Sequence, residues 1–366
     1  MTRPTHGGNL VWAATIAGCC PHALLDFSAS INPLGMPDSA RTALLEALET
    51  LTSYPDPNYT DLKCAIAAHH HLEPDWILPG NGAAELLTWA CRDLAEYGST
   101  DLITPAFADY DRALTAAGVH IHRCRLERPD QPLLMASGLS LSLPQSKPRG
   151  LLLNNPHNPT GQIICAEDIK SRVLDLPNYG LVVLDEAFMD FLPLDQQQSL
   201  VDWIHNYPQL VILRSLTKFY AIPGLRLGYA IAHPSRLARW NHWRDPWTVN
   251  TLAARVGEVV LQDTAFQSRT YNWLAIAKPK LEQDLANLPG LTVYPGSVNF
   301  VLVRSDDSML NVQRQLLKDH KIYIRDCVSF PELGDRFFRV AVRTVAENDR
   351  LISGLASVLK NLAGDG

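Results

Sequence analysis

The chain has 366 residues, with 32 lysines and arginines against 38 aspartates and glutamates, so its formal net charge is −6. Hydrophobic residues make up 46% and charged residues 19%, ordinary globular proportions that exclude disordered and fibrous classes and allow a substantial core. An acidic chain without a Lys/Arg cluster is a poor nucleic-acid binder, because phosphate neutralisation supplies most of that affinity; any anionic ligand must be held by a few placed residues.

In chain order, residues 1–36 read as an arm rich in Gly, Pro and Asn that ends in Asn32-Pro33-Leu34-Gly35. Within it, Leu10 to Ala17 is an apolar stretch behind Arg3, and Ile16-Ala17-Gly18-Cys19 resembles a bacterial lipoprotein cleavage box. The stretch is barely long enough for a signal, and Pro21 and His22 follow at once, so export is disfavoured. Nor does any run approach the ~18–20 apolar residues that span a membrane. Vicinal Cys19-Cys20 read as two buried thiols. The 7 cysteines are odd in number and scattered, with no C-x-x-C pair, which suits reduced thiols in a cytoplasmic protein and no metal site. Tyr54 to Tyr59 is a non-helical link, and His69-His70-His71 reads as a solvated helix end, since consecutive residues face different sides of a helix.

From there, strand-like runs alternate with helical patterns. The strands are Trp76 to Leu78, Asp101 to Ile103, Gly150 to Leu153, Leu181 to Leu184, Leu210 to Leu213 and Leu227 to Ile231. The helices include Ala83 to Tyr97, Tyr110 to Ala117 and Ala166 to Leu174. Short, continuous apolar strands are buried on both faces, which predicts an α/β domain with a mostly parallel central sheet flanked by helices. Trp240, Trp243 and Trp247, with Tyr271 and Trp273, read as one aromatic region of core or subunit interface. A long helix is expected from Thr264 to Leu288. After Pro289-Gly290 the strands Leu291 to Tyr294, Asn299 to Val303, Ile322 to Arg325 and Phe337 to Val342, with helices Met309 to Asp319 and Ala346 to Leu362, predict a small α+β C-terminal domain. The expected division is therefore 1–36 as an N-terminal arm contributing to the substrate site, 37–263 as the large domain, and 264–366 as the interdomain helix and small domain.

Ligands of open α/β sheets bind where strands end, and three strand ends carry distinctive residues. These are Asn154-Asn155-Pro156-His157-Asn158-Pro159-Thr160-Gly161, Asp185-Glu186-Ala187-Phe188, and Arg214-Ser215-Leu216-Thr217-Lys218 followed by Gly224-Leu225-Arg226. Together they suit pyridoxal 5'-phosphate, which requires a lysine for its Schiff base and a carboxylate near its ring nitrogen. Lys218 and Asp185 supply that catalytic pair. Ser215, Thr217 and Arg226 bracket the lysine with two hydroxyls and a planar cation for the cofactor phosphate. Gly80-Asn81-Gly82 precedes a helix starting at Ala83, so the amides at Gly82 and Ala83 offer a helix N-terminus to the same phosphate. Asn158 suits the phenolic oxygen, and Phe107 suits the ring face.

Asn158-Pro159-Thr160-Gly161, Asp185-x-Ala187, Ser215-x-x-Lys218 and Arg226-x-Gly228 resemble the signature of the fold-type I aminotransferases, which include the histidinol-phosphate aminotransferases. His6-Gly7-Gly8-Asn9, Asp26-Phe27-Ser28, Ile31 to Pro37, Asp185 to Phe191, Leu213 to Tyr229 and Pro246-Trp247-x-Val249-Asn250 are similar to the threonine-phosphate decarboxylases of cobalamin biosynthesis within that group. The resemblance runs from His6 to about Arg350. It implies a fold-type I homodimer with shared active sites, in which Tyr54 reaches the cofactor phosphate of the neighbouring subunit. It further implies that a small phosphorylated amino acid is gripped by His6, Gly7, Asn158, Arg325 and Arg339. The implied reaction is decarboxylation of L-threonine O-3-phosphate, the alternative being transamination of histidinol phosphate or a similar compound. Ser30 stands where such decarboxylases commonly have asparagine in a substrate-contacting segment. Phe188 stands where the transaminases have tyrosine, a departure that matches the decarboxylases.

Overall fold

The computed structural model describes residues 3–139 and 148–364. Its central sheet has seven strands: β1 Ile77–Gly80, β2 Ser99–Thr104, β3 His120–Arg125, β4 Arg149–Asn154, β5 Tyr179–Asp185, β6 Leu210–Ser215 and β7 Gly228–Ala232, in the order β1-β7-β6-β5-β4-β2-β3. β6, β5, β4, β2 and β3 are mutually parallel, whereas β7 runs antiparallel to both of its neighbours. The continuous apolar runs follow from burial on both faces. Along β5, Val182 and Leu184 enter one apolar cluster while Leu181 and Val183 enter the other. Burial of such a side chain contributes roughly 1.5–3 kcal/mol, so each residue of the run stabilises one of the two layers of helix.

Four further strands, β8 Leu291–Tyr294, β9 Phe300–Ser305, β10 Arg325–Asp326 and β11 Phe337–Ala341, form an antiparallel sheet in the order β10-β11-β9-β8. The helix Thr264–Ala286 precedes it. No described helix is long and apolar enough to cross a membrane.

Several local expectations are corrected. Ile322 to Arg325 is not one strand: Ile322–Tyr323 pairs in parallel with Leu25–Asp26, while Arg325 starts β10 in the antiparallel sheet. The apolar stretch near the N-terminus is a helix, Leu10–Ala17, with Asn9 Oδ1 accepting from Trp12 N and Gly18 closing it in the left-handed conformation. Ala13 and Ala17 pack on Leu317 and Tyr323. Cys20 is exposed and Cys19 half-buried, so neither is a core thiol. The triple histidine does end a helix, Thr60–His70, but His70 is half-buried, with Nε2 at 2.8 Å from Tyr229 Oη. The aromatic residues divide: Trp240 lies in one apolar cluster, Tyr271 and Trp273 pack on another, and Trp247 stacks on Tyr54 at the surface.

Candidate active site

Topology gathers the distinctive residues along one edge of the central sheet. Because β4, β5 and β6 are parallel, their C-terminal ends lie side by side, with Asn154 registered on Asp185 and Asp185 on Leu213. β7 enters from the same edge, where Ser215 pairs with Gly228 and Gly228 with Gly80. Thus Asp185, the segment 215–218, Arg226 and the Gly80–Ala83 turn meet there. Two glycines are required by the fit. A Cβ on Gly228 would stand 2.6 Å from the Ala83 amide nitrogen, and Gly82, with φ +78°, is covered by the Arg226 guanidinium. Arg226, itself left-handed at φ +59°, is thereby held across the start of helix Ala83–Leu94.

Lys218 is half-buried, its Nζ 3.4 Å from Ser215 Oγ and 5.1 Å from the centre of the Phe188 ring. Ser215 Oγ and Thr217 Oγ1 are 2.8 Å apart. Burial lowers the lysine below the usual amine range against the opposing pull of Asp185, with Arg226 and Arg339 adding to the lowering; such an amine is more readily neutral and nucleophilic. Both oxygens of Asp185 are occupied: Tyr110 Oη donates to Oδ2 at 2.6 Å, and Ala187 N donates to Oδ1 at 2.9 Å. Burial raises this carboxyl, and Tyr110, Lys218 and Ala187 oppose that rise. Tyr110 was not anticipated from sequence; it is one helical turn beyond Phe107 and meets a residue 75 positions away.

Asn158 is positioned by Asn154, whose Oδ1 accepts from Asn158 N at 2.7 Å and whose Nδ2 donates to Asp185 O at 2.8 Å. Arg339 Nη1 donates to Asn158 Oδ1, and the Arg339 guanidinium lies 4.6 Å above the Phe300 ring. Phe300 in turn meets Phe188 edge-on at 5.0 Å. Arg325 donates to Ser329 Oγ at 2.6 Å and to the carbonyl of Thr5, next to His6. The His6 ring lies 5.1 Å from Phe107. Burial lowers its imidazole below the usual range, and the Arg325 charge lowers it further. Gly7 packs its Cα on Ser28, where no Cβ would fit. Ser30 is buried, with its Oγ unpaired among the described residues and its carbonyl accepting from Asn299 Nδ2 at 3.0 Å. Asn32 N donates to Lys218 O at 3.0 Å, so this segment is fastened to the lysine loop. Tyr54 stands apart from the rest, 79% exposed and stacked on Trp247 at 4.5 Å.

The residues fit pyridoxal phosphate on two counts. A lysine and a buried carboxylate share one strand-end cleft. A glycine cradle under Arg226 faces a helix N-terminus beside two hydroxyls. Beside this site lie two buried arginines, Arg325 and Arg339, with no carboxylate partner among the described residues. The fold and site define a fold-type I pyridoxal-phosphate enzyme.

Residues 23–355 match the model of the family "Aminotransferase class I and II". The chain is 42% identical over 371 residues to threonine-phosphate decarboxylase of Salmonella typhimurium, covering 99% of each chain. It is 34% identical to the adenosylcobalamin biosynthesis bifunctional protein CobDQ of Leptospira interrogans, covering 98% of this chain and 41% of that longer one. The histidinol-phosphate aminotransferase from Clostridium acetobutylicum superposes with a TM-score of 0.84 at 30% identity, covering 92% of this chain and 100% of that one. The chain belongs to the aminotransferase class I and II family, whose members use pyridoxal phosphate.

Proposed function

We propose that the protein decarboxylates L-threonine O-3-phosphate to (R)-1-amino-2-propanol O-2-phosphate and CO2, for the nucleotide loop of cobalamin. The observation that carries this reading is the pair Arg325 and Arg339: two buried cations, with His6 beside the first, suit a substrate bearing both a phosphate and a carboxylate. The similarity to threonine-phosphate decarboxylase over 99% of the chain supports it, as does Phe188.

Lys218 would hold the cofactor covalently, and Asp185, oriented by Tyr110 and the Ala187 amide, would keep a proton on its ring nitrogen. Ser215, Thr217, Arg226 and the amides at Gly82 and Ala83 would hold its phosphate, with Phe107 and Asn158 beside its ring. Bound there, pyridoxal phosphate supplies an electron sink for the pair left at Cα when a bond to that carbon breaks. Which bond breaks would depend on how the surrounding residues orient the substrate. Arg325, with His6 and Gly7, would fix the substrate phosphate, Arg339 would take the carboxylate and Ser30 would line the remaining wall, so that the carboxylate is the group oriented to leave. Lys218, or a water beside it, returns a proton to Cα.

In this reading the enzyme is a cytoplasmic homodimer in which Tyr54 completes the neighbouring subunit's phosphate site. Residues 1–36 act as the substrate-site arm, 37–263 as the cofactor domain and 264–366 as the domain that brings in the two arginines. The alternative, transamination of histidinol phosphate or a similar compound, draws on the relationship to the histidinol-phosphate aminotransferases. A crystal structure with threonine phosphate distinguishes them: phosphate on Arg325 and His6 with the carboxylate perpendicular to the ring supports decarboxylation, and a carboxylate lying in the ring plane contradicts it.

A further inference from the structure

Away from this site, three metal-ligating side chains converge at the free edge of the central sheet. β2 and β3 are parallel, with Asp101 registered on His122 and Ile103 on Cys124. Registered partners project to the same face, as do residues two apart on a strand, so Asp101, His122 and Cys124 share one face of this edge. A carboxylate oxygen of Asp101, Nδ1 of His122 and Sγ of Cys124 all lie within 4.8 Å of one another. Nδ1 is 2.8 Å from Asp101 Oδ1 and 3.7 Å from Sγ. Asp101 and Cys124 are fully buried, whereas His122 is half-exposed and opens the cluster to solvent.

We propose that Asp101, His122 and Cys124 form a binding site for a thiophilic divalent ion of the zinc class, with solvent in the fourth position. A tetrahedral ion with bonds of about 2.0–2.3 Å to nitrogen, oxygen and sulfur sets its ligand atoms about 3.2–3.7 Å apart. The nitrogen–sulfur separation already meets this. The nitrogen–oxygen separation opens by about half an ångström as the ion replaces the hydrogen bond. On binding, the thiol proton of Cys124 leaves to solvent and the proton on Nδ1 of His122 moves to Nε2.

Two further groups face Asp101. Tyr179 Oη donates to Oδ2 at 2.8 Å, and Arg149 Nη1 lies 3.3 Å from Oδ1. They orient the carboxylate as outer-shell partners orient ligands in metal sites. Magnesium and calcium require more oxygen ligands than one carboxylate offers, while sulfur and imidazole favour zinc or cobalt; the Arg149 charge opposes any divalent ion, and loss of the Cys124 proton offsets it. The ion ties β3, the last strand of the sheet, to β2.

The test is titration of the chelator-treated holoenzyme with Co2+, followed by difference absorbance. One equivalent is expected to bring the visible bands of tetrahedral cobalt and a near-ultraviolet thiolate-to-metal band, both displaced by Zn2+. Cys124→Ser should lose the thiolate band. His122→Gln, at a half-exposed position that tolerates substitution, should weaken binding at least tenfold, and Cys64→Ser, at an exposed thiol elsewhere, should change nothing. The proposal is overturned by absence of the thiolate band in the parent protein, by its survival in Cys124→Ser or its loss in Cys64→Ser, or by unchanged affinity in His122→Gln.

Discussion

Arg325 and Arg339 face each other in register on adjacent antiparallel strands, two buried guanidinium groups with no carboxylate partner among the described residues. Like charges directly opposite one another on a sheet are destabilising, and an anionic ligand between them would relieve the repulsion. Burial lowers Arg339 to about 10, the Arg325 charge contributing second.

Arg325→Met and Arg339→Met should therefore leave the unliganded protein as stable as its parent or slightly more so. Each should lower kcat/KM for threonine phosphate by roughly 10- to 100-fold, the effect of losing one charge-assisted contact of about 1.5–3 kcal/mol. Thermal melts and steady-state kinetics measure the two effects separately; a large loss of stability would mean that the arginines are structural.

Tyr110→Phe deletes one of the two hydrogen bonds that hold the Asp185 carboxylate. The expected result is a weaker hold on the cofactor, with the dissociation constant for pyridoxal phosphate raised by roughly 3- to 10-fold, the effect of about 1 kcal/mol. Reconstitution of the apoenzyme followed by absorbance measures it. Gly82→Ala should do more, since it combines a strained positive φ with displacement of the Arg226 guanidinium.

Lys218→Ala should abolish the ~410–430 nm band expected of a cofactor held by a lysine Schiff base. Persistence of that band would reassign the lysine.

Glu186, fully buried behind the site, gives a pH signature. Burial raises its carboxyl from 4.5 to about 7, with Arg214, Ser199 and the Leu200 amide opposing the rise. A folded-state value above the unfolded one means that the folded protein holds an extra proton between those limits. That contribution, about 3 kcal/mol, is complete below pH 4.5 and lost as pH rises through 7. Glu186→Gln should flatten this part of the stability profile between pH 4.5 and 7 in chemical denaturation; an unchanged slope would contradict it.

The fold was legible where burial leaves a one-dimensional trace. Leu151 to Leu153 and Leu181 to Leu184 are uninterrupted apolar runs because helices cover both sheet faces, and the chemistry-bearing residues sit where those runs stop. The split after Tyr323 was not legible, because its cause is the pairing with Leu25–Asp26, some 300 residues earlier in the chain. The helix Leu10–Ala17 did leave a signal, Asn9 at its start and Gly18 at its end, that hydropathy alone passes over. Tyr110 left none: its role depends on a strand-end contact across 75 residues. The net charge of −6 likewise conceals the clustering of Arg226, Arg325 and Arg339 about one cleft.

In the proposed function, Arg325, Arg339 and His6 direct bond cleavage to the carboxylate. The most direct measurement is CO2 release from L-threonine O-3-phosphate by the holoenzyme, with and without 2-oxoglutarate. Stoichiometric CO2 and 1-amino-2-propanol O-2-phosphate are expected without any 2-oxo acid. Turnover that depends strictly on 2-oxoglutarate and releases no CO2 would contradict it.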